Sequence, residues 1–485
     1  MLVSLAVALT GGLISSVGAE TILGVVVFTR NGDRTSKHYP GYTLTNLGFQ
    51  QNLQVGSDYR DLYITPNAPK QILGISEDEY VSSQIYAATS DKPVLFKAAS
   101  AFLQGLYPPL DANATSETLN NGTAYPDPLD GHQLTLINAE DSESENSVWL
   151  KGNDECPVIT EIAEYFIQDS SYTSKVNSTR PFYQQFWPVL ENVSNYNQSA
   201  LSYENAYDIF DLINTGLIHN ESMRDAVSAD DLFQLRTLAD SHEFGMNFDL
   251  IRAVFATGAQ TLMGAIVAQL KKIVVSKGKS KFSLLAGSYD VMLSFFGLYD
   301  LTAASGNFYG LPGYASTMAF ELLTDDNVTT FPADENALKI RFLFRNGSDA
   351  DAPLTPFPIL GGESTTIAWR DFSLEMGSSA INTVQHWCQG CNSMQSFCTP
   401  PESGPTSHYC ENGGMSNTVA GVIGSMVTLG VVCVGGAAVF LFLRRRWAKT
   451  TPPAVGFPLQ AGVRNRSSLE SLESLGSSGG YQLKI

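Results

Sequence analysis

Ile22-Leu-Gly-Val-Val-Val-Phe28, followed by Thr29-Arg30-Asn31-Gly32-Asp33-Arg34-Thr35, is the segment from which the rest of the chain can be interpreted. A continuous apolar run rich in Val predicts a strand buried on both faces of a parallel or mixed sheet. The turn after it places two guanidiniums and a glycine at the carboxyl end of that strand. Ligands of open α/β sheets bind outside this edge, and Arg presents a planar fork of donors that matches phosphate oxygens. An arginine pair in a loop is more often a solvated or ion-paired surface feature, so the surroundings have to decide.

Apolar residues at Leu47, Phe49, Leu53, Val55, Tyr59 and Leu62 predict a helix over 45–63, and 98–106 offers a second. Residues 113–200 are polar and predict loops and short elements. Helical spacing returns from Tyr203 to Leu270, predicting a helical subdomain. Phe282 to Ala286 and Lys339 to Phe344 read as returning strands, the second alternating. The expected fold class is α/β: a mixed central sheet flanked by helices, with an inserted helical cap subdomain over about 113–270 and one C-terminal transmembrane helix.

The 485 residues carry 29 Lys+Arg against 48 Asp+Glu, a formal charge of −19. That balance excludes a nucleic-acid partner, whose phosphates need clustered cations. Residues 1–19 lack charge and close on Val17-Gly18-Ala19, the pattern of a signal peptide. Residues 419–443 form 25 uncharged positions, enough to cross a hydrocarbon layer of about 30 Å. Arg444-Arg445-Arg446 follows, which predicts a single-pass span with a cytosolic C-terminus. The tail, 444–485, holds seven basic and two acidic residues and is too poor in apolar bulk to fold. It reads as a phosphorylated sorting or docking segment or an inert tail. The expected setting is the secretory pathway, at a plasma or vacuole-like membrane.

Eight Asn-X-Ser/Thr sequons, at Asn113, Asn121, Asn177, Asn192, Asn197, Asn220, Asn327 and Asn346, predict glycan acceptors on exposed surface. Of six cysteines, Cys433 lies in the expected span. Cys388, Cys391, Cys398 and Cys410 crowd the expected stalk, 388–418, and in an oxidising compartment predict disulfides. Zinc is the alternative reading of so dense a cluster, and secretion makes it the weaker one; no metal site is expected. With Cys156, the luminal count is odd, leaving one thiol free or paired between molecules.

The surroundings of the first strand resemble the histidine acid phosphatase family, in the histidine phosphatase superfamily with its phosphoglycerate-mutase-like fold. Arg30-Asn31-Gly32-Asp33-Arg34-Thr35 is similar to its Arg-His-Gly-x-Arg-x-Pro signature. The likeness continues in Leu44-Thr-Asn-Leu-Gly48 with Gly56 and Tyr63, Ala101-Phe-Leu-Gln-Gly-Leu-Tyr-Pro-Pro109, Ala315-Ser-Thr-Met-Ala-Phe-Glu321, Arg341-Phe-Leu-Phe-Arg-Asn-Gly347 and Thr355-Pro-Phe-Pro358. It covers most of an ectodomain expected over 20–387.

The resemblance implies phosphomonoester hydrolysis. The signature His forms a phosphohistidine, Arg side chains and a second His hold the phosphoryl oxygens, and the Asp of a later His-Asp pair protonates the leaving alcohol. On that mapping Arg30 and Arg34 are phosphate-binding, and Asp290 keeps the general acid's place. Asn31 stands at the nucleophile position, and its amide nitrogen lone pair is delocalised into the carbonyl. Tyr289 stands at the second His position. The family's third Arg falls near Pro93-Val94, where only Lys92 and Lys97 are at hand. His38 is the one nearby imidazole. The expectation is a membrane-tethered glycoprotein, catalytically impaired, that retains a pocket for a phosphate-containing small molecule and needs no cofactor. The alternative is an acid phosphatase using water as nucleophile with Asp290 as acid, and a blander one is an adhesion or wall protein with a relic pocket.

Overall fold

The computed structural model describes residues 20–399, apart from 112–114 and 194–195. The expected signal peptide, the span at 419–443, the tail, Asn113 and Cys410 lie outside the described residues. Among the described residues no helix is long and apolar enough to cross a membrane.

Strands β1 (Thr21–Arg30), β2 (Ile85–Ser90), β3 (Asn138–Glu140), β4 (Phe282–Gly287), β5 (Thr317–Thr324), β6 (Lys339–Arg345), β7 (Thr355–Pro356) and β8 (Thr366–Ala368) form one sheet. Its order is β8-β6-β5-β1-β4-β2-β3, with β7 on β6. The run β1-β4-β2-β3 is parallel, while β5, β6 and β8 continue the sheet antiparallel. The sheet is therefore mixed, and its parallel strands are widely separated in sequence, as expected.

Alternation along β1 explains why its sequence is apolar at every step. Val25 and Val27 face a core shared with Tyr59, Tyr63, Phe102 and Leu103, contributed by α1 (Asn46–Tyr63) and α2 (Pro93–Leu106). Val26 and Phe28 face the opposite core. The helices α3 (Thr160–Gln168), α4 (Ser170–Gln184), α5 (Ala206–His219), α6 (Ala229–Asn247), α7 (Thr257–Val275), α8 (Tyr289–Leu298) and α9 (Trp369–Ser379) contribute to that second core or pack against it. One buried carboxylate joins the layers: Glu321 on β5 accepts from Tyr63 Oη (2.6 Å), Lys70 Nζ (2.8 Å) and Arg341 Nε (2.6 Å).

Two expectations are corrected. Residues 113–200 contain α3 and α4 besides loops; Tyr172, Val176 and Tyr183 give α4 one buried stripe that its polar remainder hides from a composition reading. The disulfides also reach beyond the expected stalk. Cys391, at the end of α10 (Val384–Cys391), bonds to Cys156, and Cys388 bonds to Cys398. Cys156, Cys391 and Trp387 share a small core with Val148 and Ile381, and Trp387 Nε1 donates to the Gly152 carbonyl at 2.8 Å. Disulfides fit an oxidising compartment. The seven described sequon asparagines are all exposed.

Candidate functional site

β1, β4 and β2 run parallel and end side by side, with Arg30 level with Gly287. Three turns emerge there: 31–38 after β1, Ser288 into α8 after β4, and Lys92 into α2 after β2. The first is rigidly held. Gly32 N donates to Asn52 Oδ1 (2.6 Å), Asp33 N to Gln51 Oε1 (2.7 Å), and Thr45 N to the Asp33 carbonyl (3.1 Å). Gly32 lies against Gly48: a Cβ on Gly48 would stand 1.9 Å from the Asp33 carbonyl oxygen. This close approach is the reason for glycine in both segments.

Above these turns lies a cavity of about 350 Å³. Asn31 and Lys37 come from the turn after β1, Ser288, Tyr289 and Asp290 from the turn after β4, and Lys92 from the turn after β2. The far wall is Lys151, Asn153 and Asp154 with Glu243 and Asn247 of α6. Three residues at mapped family positions, Asn31, Tyr289 and Asp290, thus meet at one cavity, with Lys92 beside them. Lys97 is exposed and donates to Thr43 Oγ1 (3.0 Å) away from it.

The two arginines do not line the cavity. Arg34 is fully buried, and its guanidinium grips Asp211 of α5 with Nη1 to Oδ2 at 3.1 Å and Nη2 to Oδ1 at 2.9 Å. Its Nη2 also donates to Tyr207 Oη (2.6 Å). Arg30 donates to the Pro312 carbonyl and stacks over the rings of Tyr289 (5.3 Å) and Tyr314 (5.0 Å). Asn31 Nδ2 donates to the Gly32 carbonyl at 2.7 Å.

Tyr289 donates its hydroxyl to Glu243 (2.8 Å), and burial followed by the nearby Tyr207, Glu243 and Asp290 pushes its pKa well above the usual phenol range. It stays a neutral donor to a carboxylate. Asp290 accepts from Asn153 Nδ2. Burial works against its charge, but the Lys37 ammonium and its hydrogen bonds outweigh that, so its carboxyl ionises below the ordinary Asp value.

Lys37 was not singled out by the sequence. Its Nζ lies 4.3 Å from the centroid of Tyr289, with the rings of Tyr207 (5.8 Å) and Tyr42 (6.0 Å) around it. Burial lowers its pKa to about 8, with Arg34 and Arg30 adding to the shift and Asp290 opposing it. Lys92 and Lys151 share Asp154 at 3.4 and 3.5 Å. Burial opposes the charge on Lys92 too, but Asp154 overcomes it and the pKa rises.

Among the described residues no histidine lines the cavity. His38 lies 3.1 Å from Asp208, His219 2.6 Å from the buried Asp33, and His242 3.0 Å from Glu243. His132 and His386 are exposed, and His408 lies outside the described residues. Among the described residues no cluster of metal ligands occurs.

The model of the histidine phosphatase superfamily (branch 2) matches residues 27–345. Counting factor 60 of Dictyostelium discoideum is 22% identical over 306 residues, 61% of this chain and 64% of that protein, so the chain spans less than two thirds of this curated relative. Among solved structures, apo Hafnia alvei phytase is 10% identical, covering 76% of this chain and 98% of that one, with a TM-score of 0.49. Citrobacter braakii phytase is 11% identical, covering 74% and 98%, with a TM-score of 0.49. A Bifidobacterium longum multiple inositol polyphosphate phosphatase with inositol hexasulfate is 10% identical, covering 75% and 95%, with a TM-score of 0.43.

Proposed function

This chain belongs to the histidine phosphatase superfamily, branch 2, and we propose that it serves there as a membrane-tethered glycoprotein that binds a phosphate-bearing small molecule without turning it over by the phosphohistidine route. The supporting observation is that the cavity wall carries the Asn31 carboxamide, which the resemblance maps to the nucleophile position, and no imidazole among the described residues. A carboxamide has no available nitrogen lone pair for phosphoryl transfer. Lys37, Lys92 and Lys151 supply ammonium donors to the cavity, whereas Arg34 is committed to Asp211. The alternative, water attack with Asp290 as acid, requires a protonated carboxyl, and Asp290 ionises below the ordinary range.

Calorimetric titration of the purified ectodomain with phosphate or tungstate is expected to show binding, weakened at least tenfold in Lys37→Ala, since a charge-assisted contact contributes about 1.5–3 kcal/mol. No aryl phosphate turnover is expected in the same preparation. Turnover that vanishes in Asp290→Ala defeats this reading.

Binding also carries a pH signature. The Lys37 ammonium, with its pKa lowered to about 8, is charged below that pH and loses its proton above it. For an anion of constant charge such as sulfate, affinity should change little from pH 6 to about 7 and fall as the pH rises through about 8, toward the Lys37→Ala level. Lys37→Arg, which keeps its charge, should flatten the profile. A profile unchanged by that substitution would assign the pH dependence elsewhere.

A further inference from the structure

The Asp211 carboxylate receives four hydrogen bonds: Arg34 Nη1 (3.1 Å) and Nη2 (2.9 Å), Ser36 Oγ (2.7 Å) and the Lys37 backbone N–H (2.8 Å). All four come from Arg34, Ser36 and Lys37 of the turn after β1, the edge where open α/β sheets take their ligands, and the carboxylate arrives from α5, more than 170 residues later in the chain. Both ion-pair side chains are almost wholly buried, at 1% and 4% exposure. One further donor of the same guanidinium, Arg34 Nε, is buried with no partner. A guanidinium, a hydroxyl and a backbone N–H converging on two oxygens make an oxyanion cradle, and here the oxyanion is part of the protein.

We infer that Arg34, Ser36 and the Lys37 backbone N–H form an anion-binding cradle that Asp211 occupies as a built-in ligand, closing it to external oxyanions. Deleting one partner of a buried pair leaves an uncompensated charge, so an emptied cradle should recruit a small anion from solution. An ordinary structural ion pair would lose stability without regaining it from solutes. The inference stands apart from the cavity's ligand, because the cradle uses the Lys37 backbone and not its ammonium.

The test is chemical rescue of Asp211→Ala by formate, followed by thermal unfolding of the whole ectodomain. The variant should melt below the parent, and formate should raise its midpoint by several degrees relative to matched chloride. The parent, its cradle full, should show no such difference. The rescue should persist in Lys37→Ala/Asp211→Ala, which separates it from anion binding in the cavity. Equal shifts in parent and Asp211→Ala, or a shift lost with the Lys37 side chain, would overturn the inference. If Asp211→Ala is recovered unfolded, refolding with and without formate decides: folded monomer only with formate supports the cradle, and the same outcome in both overturns it.

Discussion

Asn31→His, made alone, is expected to yield no phosphorylated protein and no aryl phosphate turnover above the parent's background. On the reading proposed above Asn31 fills the nucleophile's place, and since loss of a covalent nucleophile reduces turnover on the order of 10⁶-fold, an imidazole there would matter if nothing else differed. The surroundings argue otherwise. A phosphoryl group in front of residue 31 would find Arg34 on Asp211, the Tyr289 hydroxyl on Glu243 and Arg30 on the Pro312 carbonyl. Each missing electrostatic contact to the transition state lowers the rate by about 10²–10³. The leaving alcohol also needs a proton, and Asp290 is held as carboxylate by burial being outweighed by Lys37 and hydrogen bonds. Quenched-flow labelling with a phosphate-labelled substrate would check this. A stoichiometric burst in Asn31→His would show that one side chain alone separates this protein from catalysis.

The largest expected loss of stability comes from Cys156→Ser. Cys156 and Cys391 are 235 residues apart, and the chain-entropy relation assigns about 5 kcal/mol to closing so long a loop. Cys388 and Cys398 are 10 apart, which gives about 3 kcal/mol for Cys388→Ser by the same relation. Urea midpoints of the two variants, measured beside the oxidised parent, should fall in that order. Anion affinity should drop in Cys156→Ser as well, because Lys151, Asn153 and Asp154 of the cavity wall lie just before Cys156. Equal midpoints in the two variants would mean that the long crosslink does not constrain the unfolded chain as supposed.

Some of this was legible in sequence because local signals sufficed. β1 announces itself by seven apolar or small residues, α1 by its spaced apolar residues, and the turn at 31–34 by its likeness to a known signature. β2 was missed because Ile85-Tyr-Ala-Ala-Thr-Ser90 owes its burial to small alanines, which carry little strand preference. Lys37 lies three residues beyond Arg34, yet its special setting comes largely from the rings of Tyr207 and Tyr289, far off in sequence. The partners of Arg34 and of Cys391 had no local signal at all. An aspartate within an apolar helix and a lone cysteine in a polar stretch acquire meaning only when the sheet brings them to the same edge or wall.

The attachment of α10 bears on where a shortened secreted fragment can end. Cutting at Trp387, where the sequence reading placed the end of the body, discards the sulfur that Cys156 bonds and half of the helix carrying it. The orphaned Cys156 thiol would then lose the cover of Cys391 in its small core and be left open to oxidation and to crosslinking between copies. A fragment intended for ligand studies should keep every residue through Cys398.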